Sequence, residues 1–263
     1  MKQYPIQLGT FLFTMVEPHA GHEVEYNRWY ERDHFYGGCM ELAWNFAGDR
    51  FVATKPLQDL RYPADSPITP APNVGPYLAV YWVSKGHHDD WNDQSVVRVN
   101  ELHKGGRMFA ERTHIHTALY DYVWSWQATE NGTNPELALD RDYRGLVVNV
   151  GELAEGKSFA DVEAFTAEWA EAHKGGAGSP DLIVQGTLLP LLDDAPPDVP
   201  RIPNADRRFL QLHFLDHLPD EQWAEGYGTF GADLEASGAA KHLWTGPFIQ
   251  TVFGTDTYTD QLR

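Results

Sequence analysis

Apolar and polar positions alternate along eight stretches of this chain and recur at helical spacing along four others. Residues 77–84 read Tyr-Leu-Ala-Val-Tyr-Trp-Val-Ser, rich in β-branched and aromatic side chains, with Leu78, Val80 and Trp82 on one face. Comparable runs at about 7–16, 41–54, 113–126, 145–151, 182–192, 208–215 and 242–254 are expected strands. Helical periodicity places helices at about 20–35, 88–103, 159–173 and 219–237. The third opens on a capping box of Ser158 and Asp161.

The pattern occurs twice. Residues 77–84 lie over 209–216 at an offset of 132, aromatic on aromatic at Tyr77/Phe209 and Trp82/Phe214, and Trp91 then meets Trp223. After a four-residue deletion, His114 meets His242 and His116 meets Trp244. At offset 139, Tyr26, Tyr30 and His34 meet Phe165, Trp169 and His173. Each copy reads βαββαβ, a unit that forms an antiparallel sheet with both helices on one face. The bare face needs cover, and the second copy is its natural partner. The expected fold is therefore α+β: two tandem ferredoxin-like βαββαβ repeats closing an intramolecular, pseudo-dimeric α+β barrel. The expected organisation is residues 1–127, a turn-rich linker at 128–142 with Asn131-Gly132 and Asn134-Pro135, and residues 143–263.

Composition narrows the partners. Against 20 Lys and Arg stand 38 Asp and Glu, a formal charge of −18, which repels phosphate backbones and anionic lipid headgroups. Neither nucleic acid nor a membrane is an expected partner. Nine Trp, 12 Tyr and 13 Phe within a 42% hydrophobic chain supply a sizeable core. Cys39 stands alone, so no internal disulfide or Cys-based zinc site is available, which fits a reducing, cytoplasmic location. No stretch approaches the ~18 to 20 apolar residues of a membrane helix.

The run Glu25-Tyr26-Asn27-Arg28-Trp29-Tyr30-Glu31-Arg32-Asp33-His34, on the first helix of a βαββαβ unit, resembles the helix motif of EthD-like proteins of the dimeric α+β barrel superfamily. The motif covers about residues 7–50, and the topology nearly the whole chain. Where the family usually has a proline after the histidine, this chain has Phe35-Tyr36-Gly37-Gly38. The superfamily includes polyketide cyclases, muconolactone isomerases, cofactor-free monooxygenases and haem proteins of the chlorite dismutase type. The resemblance implies a small-molecule pocket more than any one reaction.

Several side chains are candidates for chemistry. His34 closes a stripe with Tyr26 and Tyr30 at i, i+4 and i+8, and an imidazole there can exchange protons; the bland alternative is a helix C-cap. Asp33 beside it, or a backbone carbonyl, is the expected orienting group. His114 and His116, two apart on a strand, are expected on one face, and His116 or Tyr81 would hold and polarise a substrate oxygen. Trp29, Tyr30, Trp82, His114 and His213 are expected to bind substrate. His19, His22 and Glu23, like the Gly86-His87-His88-Asp89-Asp90 turn, read as solvated polar clusters rather than metal sites. No phosphate loop or nucleophile elbow is present.

These features lead to an expected cofactor-free enzyme. It would perform His-centred acid/base chemistry of cyclase, isomerase, dehydratase or lyase type on an aromatic, polyketide-like or terpenoid substrate. The Pro-rich stretches at 63–76 and 193–207 are expected either to cover the pocket or only to shield sheet ends. The alternatives are a haem- or transition-metal-dependent oxidoreductase, with His173, His213 and His242 as axial candidates, and a non-enzymatic carrier of an apolar ligand. A monomer or a homodimer is equally compatible with the closed unit.

Overall fold

The structure, a computed structural model, describes residues 5–130, 132–176, 178–190, 199, 201–221 and 223–263. The first half runs β1 (Leu8–Pro18), α1 (Glu23–Trp29), β2 (Asn45–Val52), the single turn α2 (Lys55–Gln58), β3 (Tyr77–Ser84), α3 (His88–Lys104) and β4 (Arg112–Gln127). The second runs β5 (Gly145–Leu153), α4 (Phe159–His173), β6 (Leu182–Leu189), β7 (Arg208–Leu215), α5 (Tyr227–Ala236) and β8 (Ala240–Gln250). Strands pair antiparallel in one closed barrel ordered β1-β3-β2-β8-β5-β7-β6-β4. The within-half orders, β4-β1-β3-β2 and β8-β5-β7-β6, are the same.

Alternation explains the closure. One face of every strand points into the lumen, where Phe11, Phe13, Val80 and Trp82 of the first half meet Leu146, Leu212, Phe214 and Trp244 of the second. The other face carries the helices: Tyr26 and Tyr30 pack on Val52, Tyr77 and Tyr81 in the first half, and Trp169, Tyr227 and Phe230 on Val147 and Phe209 in the second. The seams differ. β4 pairs with β6 along Leu119–Gln127, whereas β2 meets β8 only at Phe51 with Gln250 and Val52 with Ile249.

The capping box at Ser158 and Asp161 is present, and α4 spans the expected residues. Several boundaries differ from the sequence pattern, and β2, expected from about residue 41, starts at Asn45. α1 does not stop near residue 35 but continues as a π-helix, Tyr30–Met40, closed by Glu41 N–H donating to the Tyr36 carbonyl at 2.9 Å. His34 therefore sits inside a widened helix and is not its C-cap. α5 is shorter than expected, preceded by a 3₁₀ turn at Trp223–Glu225, and Gln222 lies outside the described residues. The strand expected to reach 192 ends at Leu189; Leu191 and Leu192 lie outside the described residues, as does Asn131 of the expected linker turn. Among the described residues, no helix is long and apolar enough to cross a membrane.

Candidate active site

A cavity of about 130 Å³ lies between the outer face of the first-half sheet and its helices. The sheet contributes Leu12, Thr14 and Val16 from β1 and Arg112, His114 and Thr117 from β4. The π-helix supplies Tyr30, His34, Gly38 and Cys39, and α3 forms the far wall with Ser95, Val96 and Val99. α3 buries Trp91 near its start and Leu102 near its end, so it spans the cavity between two anchors. No Asp or Glu lines the cavity among the described residues, in a chain of charge −18.

His34 is the central polar group. Its ring stacks on Trp29 (4.6 Å between centroids, 19°) and stands edge-on to Tyr30 at 5.2 Å. Buried Nδ1 has no hydrogen-bond partner among the described residues. A Cβ on Gly38 would stand 2.6 Å from that nitrogen, so the missing side chain is what admits the ring. Burial pushes its pKa down to about 3, helped by Arg112 and His114, so the imidazole is neutral at pH 7. An unsatisfied buried nitrogen costs about 1–3 kcal/mol.

Other candidates divide between the site and its surroundings. Tyr30 lines the cavity, and its hydroxyl meets that of buried Tyr81 at 2.9 Å. Tyr81 thus stands behind Tyr30 rather than in the cavity. His114 lines the wall and joins a chain in which its Nδ1 meets Thr117 Oγ1 at 2.7 Å, itself 2.7 Å from Thr14 Oγ1. Trp29 forms the back of His34, with its indole N–H donating to the Arg107 carbonyl at 2.7 Å.

Four expectations need correction. Asp33 does not orient His34: the Arg107 guanidinium grips its carboxylate with Nε at 3.1 Å and Nη2 on the second oxygen, and holds its pKa below the usual carboxylate range. His116 does not share a face with His114. Register jumps from Met15↔His116 to Val16↔His114, leaving Ile115 as a bulged residue that inverts the alternation. His116 therefore points into the lumen, bonded to Tyr120 Oη at 2.7 Å and edge-on to Phe13. Trp82 is also in the lumen, its N–H donating to the Pro135 carbonyl at 3.0 Å. His213 belongs to the second half, away from the cavity.

The second half fills the equivalent space. His213 Nε2 meets Gln211 Oε1 at 3.1 Å and its Nδ1 meets Tyr227 Oη at 3.2 Å. Because Gln211 Nε2 donates to Thr166 and Gln185, its oxygen is the acceptor, so His213 carries its proton on Nε2 and Tyr227 O–H donates to Nδ1. Trp169 and Phe230 close around them at centroid distances of 5.0–6.1 Å. His242 repeats the position of His114: a bulge at Leu243 again turns it outward, and Nε2 meets Thr245 Oγ1 at 2.7 Å. His173 Nδ1 is held by the Trp169 carbonyl at 2.7 Å.

Sequence reasoning missed Ser95, Val99, Arg112, Thr14 and Thr117. Ser95 had a visible signal, for it stands four residues after Trp91 as Tyr227 stands four after Trp223. Of the Pro-rich stretch 193–207, Val199 reaches the cavity, while residues 193–198 and 200 lie outside the described residues. The 63–76 stretch does not line it; Arg61 donates to the Pro72, Val74 and Gly75 carbonyls and holds that loop near Trp244 and Phe248.

No protein-family profile matches the chain, and no curated protein matches it. Solved structures do. A candidate chlorite dismutase superposes with a TM-score of 0.52 at 11% identity, covering 95% of this chain and 98% of its own. An anthrone oxidase-like protein gives 0.49 at 8% identity, covering 95% of each chain. A dye-decolorizing peroxidase from Bacteroides thetaiotaomicron gives 0.49 at 9%, covering 98% of this chain and 96% of its own.

Proposed function

With the α+β barrel fold as the premise, we propose that the chain is an enzyme whose first-half cavity binds a compact, mostly apolar or aromatic molecule and moves a proton through His34. The observation that carries this reading is that His34, a buried histidine whose Nδ1 has no partner among the described residues, lines the cavity. A neutral imidazole with a pKa near 3 is a weak base in the empty site. Acid/base catalysis is most effective when the pKa approaches the working pH. Negative charge developing on a substrate oxygen beside the ring raises that pKa, so the base strengthens as the transition state forms. Cyclisation, isomerisation, dehydration or lyase steps of a substrate with acidified C–H or O–H groups suit such a group. Tyr30, backed by Tyr81, and the His114–Thr117–Thr14 chain hold substrate oxygens on the same wall.

His34→Gln tests the reading. Turnover is expected to fall ~10²–10⁴-fold with ligand affinity nearly kept. Ligand binding that survives in His34→Gln, with no turnover by the wild type, identifies a carrier, and unchanged turnover in the variant rejects His34.

The likeness to a candidate chlorite dismutase favours a haem-dependent oxidoreductase over a cofactor-free enzyme. The described residues do not fit a haem. His213 has both ring nitrogens engaged inside an aromatic core, and His173 and His242, each with one ring nitrogen hydrogen-bonded, do not line the first-half cavity. The first-half cavity, at about 130 Å³, is below the ~300–1,000 Å³ typical of drug-sized ligands, smaller than a porphyrin with its side chains. Among the described residues no three His, Cys, Asp or Glu side chains converge as a metal site requires. The visible spectrum of untagged protein from haem-supplemented cells decides: a stoichiometric Soret band establishes the oxidoreductase reading.

A further inference from the structure

The second half contains, within its own chain, a ring in the place that the first half leaves open. Tyr227 projects from the start of α5 between Trp169 and His213, at centroid distances of 5.2 and 5.5 Å, and its hydroxyl donates to His213 Nδ1 at 3.2 Å. Trp169 matches Tyr30 in the duplicated pattern, His213 matches Tyr81, and Val147 beside them matches Leu12. Tyr30 and Leu12 line the first-half cavity, with Tyr81 directly behind Tyr30. The first-half counterpart of Tyr227 is Ser95, which also lines the cavity. A phenol side chain in one half is thus replaced by a serine and a void in the other.

From this internal comparison we infer that the cavity takes a hydroxylated aromatic ring in the place of the Tyr227 phenol, with Ser95 as the residue whose small size admits it. The ligand hydroxyl meets Tyr30 Oη, whose partner among the described residues is Tyr81. The ring lies between Leu12 on the sheet and Val96 and Val99 on α3, walls that are apolar. Tyr81 in place of His213 keeps a hydrogen-bonding group at the end of the slot, one step further back. This deepens the proposed function by naming the substrate class of the same site.

Binding of 2-naphthol and of 2-methylnaphthalene, followed by tryptophan fluorescence, tests it without relying on turnover. The expected result is saturable 2-naphthol binding, weaker for the methyl compound by on the order of tenfold, the value of one neutral hydrogen bond. Ser95→Tyr is expected to abolish binding and raise Tm, because the side chain fills the void; Ser95→Ala keeps binding. Tyr30→Phe is expected to bring the two affinities together. Should Ser95→Tyr fail to fold, Ser95→Leu serves as the blocking variant. Equal affinities in the wild type, no binding of either compound, or wild-type binding by a folded blocking variant each overturn the inference. If naphthol binds as expected while His34→Gln leaves turnover intact, the ligand class stands and the proton-transfer reading falls.

Discussion

A methyl group on Gly38 would press on His34 Nδ1 at 2.6 Å, so ring and glycine are coupled by space rather than by a bond. Gly38→Ala is expected to cost ~1–3 kcal/mol of stability through overpacking and to displace the imidazole, lowering turnover without touching the far wall. Thermal denaturation paired with a kinetic assay reads both. Four buried histidines also make an acid prediction. His34, His116 and His213 have pKa values pushed down to about 3, and His242 to about 4, chiefly by burial. Each takes up a proton near 6.5 when unfolded but not when folded, so falling pH favours the unfolded chain. Stability is expected to drop progressively as pH falls from about 6.5 toward 4, with His213→Gln reducing the slope; a flat Tm over that range contradicts the assignment. Alternation put Tyr81 and Trp82 on opposite faces of β3 but did not say which face meets the cavity, and Trp82, expected to bind substrate, lies in the lumen. The face of His116 was not legible either, because a bulge at Ile115 inverts the alternation and has no compositional mark; the His114/His242 match beside the His116/Trp244 mismatch was the available hint.

Elements carry the next set of consequences. The π-helix was invisible in the sequence: Gly37-Gly38 reads as a helix stop, yet here the glycines admit the His34 ring and the Arg107–Asp33 pair. π-Helical turns are rare and concentrate at functional sites, in keeping with the position of His34. α3 was legible as a helix, but its spacing from the sheet depends on how its two anchors pack. Leu102→Ala is expected to cost about 2–5 kcal/mol and to loosen that wall, detected as a lower Tm with faster ligand release. At the β2–β8 seam, Asp49 accepts from Gln250 Nε2 at 2.7 Å and from the Arg50 N–H. Burial raises its pKa to about 7, opposed by those hydrogen bonds and Arg50. A carboxyl raised in the folded state contributes stability at low pH that is lost as pH rises through about 7. Asp49→Asn is therefore expected to be more stable than wild type at pH 8 and to lack the decline between about pH 4 and pH 7; a variant less stable at pH 8 refutes the sign.

At the scale of the whole molecule, duplication and closure were readable before any coordinates, since two βαββαβ units with bare apolar faces have few other ways to bury them. Which half holds the cavity was not readable from strand and helix patterns. It depends on whether side chains fill one volume, through Ser95 against Tyr227 and Tyr30 against Trp169. The barrel is a joint product of the halves, with Phe11, Phe13 and Trp82 covered by Leu212, Phe214 and Trp244. Residues 1–127 expressed alone are expected to aggregate or to associate through that face. Ligand binding beside a neutral His34 in the first half is the central claim. The measurement that tests it most directly is the imidazole ¹⁵N spectrum at pH 7, recorded with and without saturating 2-naphthol, His34 being assigned by its loss in His34→Gln. The account expects a neutral His34 whose nitrogen shifts move on binding while those of His213 and His242 stay in place. A His34 that is protonated or unmoved, or a response confined to the second-half histidines, would contradict it.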